Sequence, residues 1–76
     1  MDLYVELDSL PKLNEYQRFV VEQGIEIQSS HLSRHGRVAS GGIGYHLSIR
    51  IPKGMKHLEA IERLSNYEGI YLIEEI

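Results

Sequence analysis

The chain has no cysteine and no tryptophan, and only one phenylalanine and two prolines among its 76 residues. Without cysteine, neither a disulfide framework nor a thiolate zinc site can form, which fits a reducing, intracellular setting. No apolar run approaches the roughly 20 residues needed to cross a bilayer. The opening Met1-Asp2-Leu3-Tyr4 lacks the basic stretch that begins a signal peptide. Taken as given, the chain reads as soluble. It also lacks any block of like charge: the formal net charge is −3, with acidic and basic residues interspersed. Such a balance gives phosphate backbones no sequence-independent attraction and argues against nucleic acid as the main ligand. A chain of this length forms one domain with little net stability to spare, so association with itself or a partner is expected.

What is present is a succession of periodicities. Leu3, Val5 and Leu7 alternate with Tyr4, Glu6 and Asp8, the period-2 signature of a half-buried strand. Asp8 and Ser9 offer side-chain oxygens for an N-cap, and Pro11 falls in the first helical turn, where its missing N–H is harmless. Leu13, Tyr16, Phe19 and Val20 then share a helical face, with Lys12, Glu15, Arg18 and Glu22 largely opposite, and Gly24 supplies a left-handed C-cap.

A second strand starts at Ile25 and Ile27 and turns polar through Ser29, Ser30 and His31, which suits an edge. The stretch 34–44, with Gly36, Gly41, Gly42 and Gly44, reads as a long, mobile hairpin connection. Tyr45, Leu47, Ile49 and Ile51 alternate with His46, Ser48 and Arg50 as a third strand, broken by Pro52 and Gly54. A second helix is expected to turn Leu58, Ile61 and Leu64 inward and Lys56, Glu59, Glu62 and Arg63 outward. Asn66 and Gly69 end it, and residues 70–76 form a last strand. The order is βαββαβ. Right-handed crossovers leave few topologies for that order. The most economical is an α+β, ferredoxin-like sandwich: a four-stranded antiparallel sheet, ordered 4-1-3-2, with both helices on one face. One domain covers residues 1–76, with no internal linker.

Each candidate reaction centre has a plainer explanation. His31 and His35 are four apart, with His46 and His57 following, but the segment reads as strand running into loop, so helical metal-ligand geometry is not supplied. They are taken as surface histidines, and no metal or cofactor is expected. The run Ala39-Ser40-Gly41-Gly42-Ile43-Gly44 joins strand to strand and has no following lysine, unlike a phosphate-binding loop. No serine sits on a strained elbow, and Glu74 and Glu75 point to opposite faces of a strand. No enzyme activity is expected.

RNA-binding sheets of this topology display aromatics on their open face. Here that face is expected to show Tyr4, Glu6, His46, Ser48 and Arg50, one aromatic beside an acid, with Glu6 and Arg50 able to pair. RNA binding is therefore disfavoured. Strand four, Ile70-Tyr71-Leu72-Ile73, is apolar on both faces and lies at an edge, which invites pairing. Self-association, as a dimer through strand four or the sheet face, is the expectation.

The chain resembles ACT-type regulatory domains over nearly its whole length, and is most similar to the cytoplasmic C-terminal domain of MgtC/SapB-type membrane proteins. The resemblance rests on Leu3-Tyr4-Val5-Glu6-Leu7, on 20–27 (VVEQGIEI), on 45–52 (YHLSIRIP), and on 58–64 followed by Tyr67-Glu68-Gly69-Ile70. It implies a regulatory or interaction domain at the cytosolic face of the membrane, in a protein linked to magnesium transport or homeostasis. The transmembrane part would then lie upstream of residue 1, making this chain a fragment of a larger protein. In ACT domains a small molecule, often an amino acid, binds near the turn from strand one into helix one. The corresponding residues here are Asp8, Ser9 and Asn14. That turn, 8–14 (DSLPKLN), lacks the glycine common in amino-acid binders, so a pure interaction role ranks above sensing.

Overall fold

A computed structural model describes residues 1–33 and 42–76. The elements are β1 (Asp2–Leu7), α1 (Leu10–Glu22), β2 (Glu26–Leu32), β3 (Ile43–Arg50), α2 (His57–Ser65) and β4 (Ile70–Glu75). They form one antiparallel sheet in the order β2-β3-β1-β4, which is the 4-1-3-2 order read from the other edge. The βαββαβ ferredoxin-like architecture stands. Residues 34–41, including His35 and the first half of the glycine-rich run, lie outside the described residues. β3 starts earlier than the alternation implies, at Ile43, with Gly44 inside the strand opposite Glu6.

One face of the sheet carries the core. Leu3, Val5 and Leu7 of β1 and Tyr45, Leu47 and Ile49 of β3 are buried, and β1 and β3 are the central strands. The covering helices contribute Tyr16 and Val20 from α1 and Ala60 and Leu64 from α2, with Ile25 closing the end near the α1–β2 turn. Each fully buried aliphatic side chain contributes about 1.5–3 kcal/mol of transfer free energy. This single layer is thus the main source of stability. Tyr16 ties the two helices together, its hydroxyl donating to the Leu64 carbonyl at 2.7 Å. Its ring meets Tyr67 edge-on at 5.3 Å, and Phe19 lies 4.9 Å from the same Tyr67.

Two local expectations change. Ser9 occupies the N-cap of α1 with extended backbone, but its side chain makes no capping hydrogen bond; its carbonyl accepts the Lys12 N–H instead. In α2 the inward face is centred on Ala60 and Leu64, and Leu58 is 68% exposed. At about 100° per residue, Leu58 lies about 160° around the helix from Ala60, so seating the small alanine against the sheet turns Leu58 to solvent. The left-handed cap at Gly24 is present, with φ +80.

Two bulges set which side chains share a face. Ile27 stands opposite Ile49 on the covered face, but Ser29, not Gln28, stands opposite Ser48. The extra residue shifts the parity of β2, so Ser29 and His31 face away from the helices. In β4, Leu7 pairs with Ile70 while Glu6 pairs with Leu72, leaving Tyr71 as the extra residue. Ile70 and Ile73 therefore both reach the core side, and Leu72 and Glu74 the other.

Candidate functional site

No element of the described residues covers the second face of the sheet. The register places one residue from each strand in a row across it: His31 opposite His46, His46 opposite Tyr4, and Tyr4 opposite Glu74. The rings make contact along this row. His31 and His46 stack with centroids 5.0 Å apart and planes inclined by 28°, and His46 and Tyr4 are tilted at 5.6 Å. The next row holds Ser29, Ser48 and Asp2. Between the rows lies a cleft of about 390 Å³ lined by Asp2, Ser29, His31, His46, Ser48 and Ile76 among others.

Tyr4 is held in place by two neighbours. Gly44 has no side chain, and a Cβ there would run into the Tyr4 hydroxyl, so the ring lies across the glycine. The hydroxyl donates to Glu6 Oε2 at 2.8 Å. That bond to the carboxylate, with slight burial and the negative charges of Glu6 and Glu74 behind it, raises the Tyr4 phenol above its ordinary value. The expected Glu6–Arg50 pair does not form. The register sets Glu6 opposite Gly44 and Arg50 opposite Glu26, and Arg50 lies 3.9 Å from the exposed Glu26 carboxylate. Among the described strand residues this face carries Asp2, Glu6, Glu26 and Glu74 against the single cation Arg50. Its field favours cationic over phosphate-bearing ligands.

The residues marked by the β1–α1 turn are only partly gathered. The Asp8 amide donates to the Gly69 carbonyl at 2.9 Å, and Asp8 Oδ1 accepts from the Tyr71 hydroxyl at 3.4 Å. This ties the turn to the start of β4. Ser9 is adjacent, and Asn14 is exposed one helical turn further on. Glu75, by contrast, meets His57 Nδ1 at 3.0 Å on the helix side, away from Glu74.

The histidine pair is what sequence reasoning missed. Unbroken alternation from Ile27 would put His31 on the covered side, on the face opposite to His46. The bulge at Gln28 instead delivers it to His46, 15 residues on, and only the register could disclose this. Among the described residues no group of three or more His, Asp or Glu is placed to hold a metal ion unaided, and none of their helices is long and apolar enough to cross a membrane.

A second unassigned feature lies beneath the sheet. Tyr45 is fully buried, yet its hydroxyl has no hydrogen-bond partner. Burial pushes its phenol far above the ordinary value. Gln17 lies close enough to oppose part of that rise, but its Nε2 donates to Ser30 Oγ at 2.9 Å, and no well-formed bond to Tyr45 results. Burial, with the nearby Tyr45, pushes Tyr16 up likewise. Neither a protein-family model nor a curated protein matches the chain.

Proposed function

We propose that this domain is a non-catalytic regulatory and interaction module of ACT-like type that works by pairing with a second copy. The observation that carries the reading is the state of β4 and the face beside it. β4 pairs with β1 on one side only and lies at the end of the sheet. Ile70 to Ile73 carry no charge, Tyr71 is 53% exposed, and Leu72 sits on the uncovered face. Natural edge strands of monomers are commonly interrupted by charge or proline. This one carries Glu74 and Glu75 only at its end.

The sequence resemblance extends the proposal. The domain would be the cytosolic C-terminal part of an MgtC/SapB-type membrane protein concerned with magnesium transport or homeostasis, coupling a cytosolic state to its transmembrane part. The coding sequence upstream of residue 1 should then encode several hydrophobic spans; a catalytic domain there would contradict the placement.

Sedimentation velocity across a concentration series tests the pairing. The wild-type chain should move from monomer to dimer, and Leu72→Lys, which puts a charge in the middle of the edge, should remain monomeric. A monomer at every concentration would contradict the proposal. The alternative is amino-acid sensing at Asp8, Ser9 and Asn14, where the Ser9 side chain is uncommitted to the helix it precedes. A saturable rise in melting temperature with one of the twenty amino acids, lost in Asp8→Ala, would favour that role.

A further inference from the structure

We propose that His31 and His46 form a two-imidazole site for a late first-row transition-metal ion, Zn²⁺ or Cu²⁺, on the uncovered face of the sheet. Imidazole nitrogens suit such ions and not magnesium, which takes oxygen ligands. The site lies on β2 and β3, with β1 between it and β4, on the same uncovered face that borders the proposed pairing edge.

The geometry carries the assignment. A metal about 2.0–2.1 Å from an imidazole nitrogen lies about 3.2 Å from the ring centroid, so two imidazoles at adjacent corners of a tetrahedron have centroids about 5.2 Å apart. The His31 and His46 centroids are 5.0 Å apart with planes inclined by 28°, so the strands already set the spacing and ligation requires only that the rings turn. The two residues are direct cross-strand partners, so their Cβ atoms leave the sheet side by side. Both stand on strands, where the ladder fixes their separation, unlike ligands on a loop. Tyr4 packs against the far side of His46 and limits its swing. His31 is exposed, so its ring can turn a nitrogen toward the shared point.

The surroundings favour a cation. Asp2 lines the same cleft as both imidazoles, and Glu6 and Glu74 stand on the same face. Asp2 is not placed as a third ligand, so water or an exogenous donor in the cleft would complete the coordination. The hydroxyls of Ser29 and Ser48 line the space in which such a donor would sit. Ligation requires neutral imidazoles, so protons compete with the metal.

The test is calorimetric titration of the tag-free chain with Zn²⁺ alone, with the histidine ring signals followed in parallel by NMR. The proposal expects saturable one-to-one binding that shifts the His31 and His46 signals. It expects binding to be lost in His31→Ala and in His46→Gln, and kept in His57→Ala. Thermal melts of each variant check that the fold persists; His31 is exposed, so its variant reads binding without disturbing the core. No saturable binding, survival of binding in either the His31 or the His46 variant, or its loss in His57→Ala would overturn the assignment.

Discussion

The two faces of the sheet are built from the same strands under different rules. On the covered face Leu3, Val5 and Leu7 of β1 and Tyr45, Leu47 and Ile49 of β3 are apolar side chains at most 1% exposed, and Ile43 at the start of β3 is partly buried beside them. On the uncovered face the same strands present Asp2, Tyr4 and Glu6, and Gly44, His46 and Ser48. The covered face needs only volume and hydrophobicity, which many residues supply interchangeably. The uncovered face is organised by register: a glycine makes room for a tyrosine, the tyrosine borders one histidine, and that histidine stacks on another. The first pattern accounts for stability. The second is where recognition is to be sought, because its order serves no packing need.

The largest expected difference between the faces comes from truncating a leucine on each. Leu47→Ala on the covered face should cost about 2–5 kcal/mol, the usual range for a buried leucine. Leu72→Ala on the uncovered face should cost about 1 kcal/mol or less. Urea unfolding of the two variants measures the contrast, and equal losses would mean that the second face is as well packed as the first.

Alkaline titration probes the covered face from another direction. Burial raises Tyr16 and Tyr45 from the ordinary value of 10.0, so the folded state favours their neutral forms. Their contribution is fully present below the unfolded value and is lost as pH rises beyond it. Chemical-denaturation stability should therefore hold up to about pH 10 and fall above it. Tyr16→Phe combined with Tyr45→Phe should flatten that decline.

The single tyrosine variants should diverge in sign. Tyr16→Phe removes the 2.7 Å bond to the Leu64 carbonyl and should destabilise by about 1 kcal/mol. Tyr45→Phe removes a hydroxyl that has no partner and should be neutral or stabilising, since an unpaired buried polar group costs about 1–3 kcal/mol. Thermal melts at neutral pH distinguish them. A loss of similar size to that of Tyr16→Phe is expected at Gly44→Ala. The added methyl meets the Tyr4 hydroxyl and ring, so the ring must swing aside and give up its bond to Glu6, a loss of about 1 kcal/mol. Its mark should be displacement of the Tyr4 ring, read as a shift of the neighbouring His46 ring signal.

The same division explains what could be read from the chain. The βαββαβ order, the sheet topology and the covered residues of β1 and β3 follow from period-2 alternation and from the Pro and Gly breaks, because burial on one face of a regular strand imposes a regular pattern. The uncovered face was legible only in its central strands, at Tyr4, Glu6, His46, Ser48 and Arg50. At the edges, bulges at Gln28 and Tyr71 reset the parity, and alternation carries no mark of an inserted residue. The stacking of His31 on His46 was therefore not foreseen, and Ile70-Tyr71-Leu72-Ile73 looked apolar on both faces without a reason. Leu58 was misplaced because the spacing 58, 61, 64 fits a helical stripe as well as Ala60, Ile61 and Leu64 do, and hydrophobicity prefers leucine to alanine. The turn residues Asp8, Ser9 and Asn14 were named by resemblance. The structure shows how Asp8 is held, through Gly69 and Tyr71.

The proposed contact with a partner copy runs through β4 and the sheet face next to it, not through the helices. Amide chemical-shift mapping during dilution of the labelled chain distinguishes the two surfaces. Concentration-dependent shifts should gather on Ile70 to Glu75 and on Tyr4 and Glu6, with the exposed positions of α1 and α2 unmoved. Shifts gathered on the helices instead, or none from millimolar to micromolar chain, would contradict it.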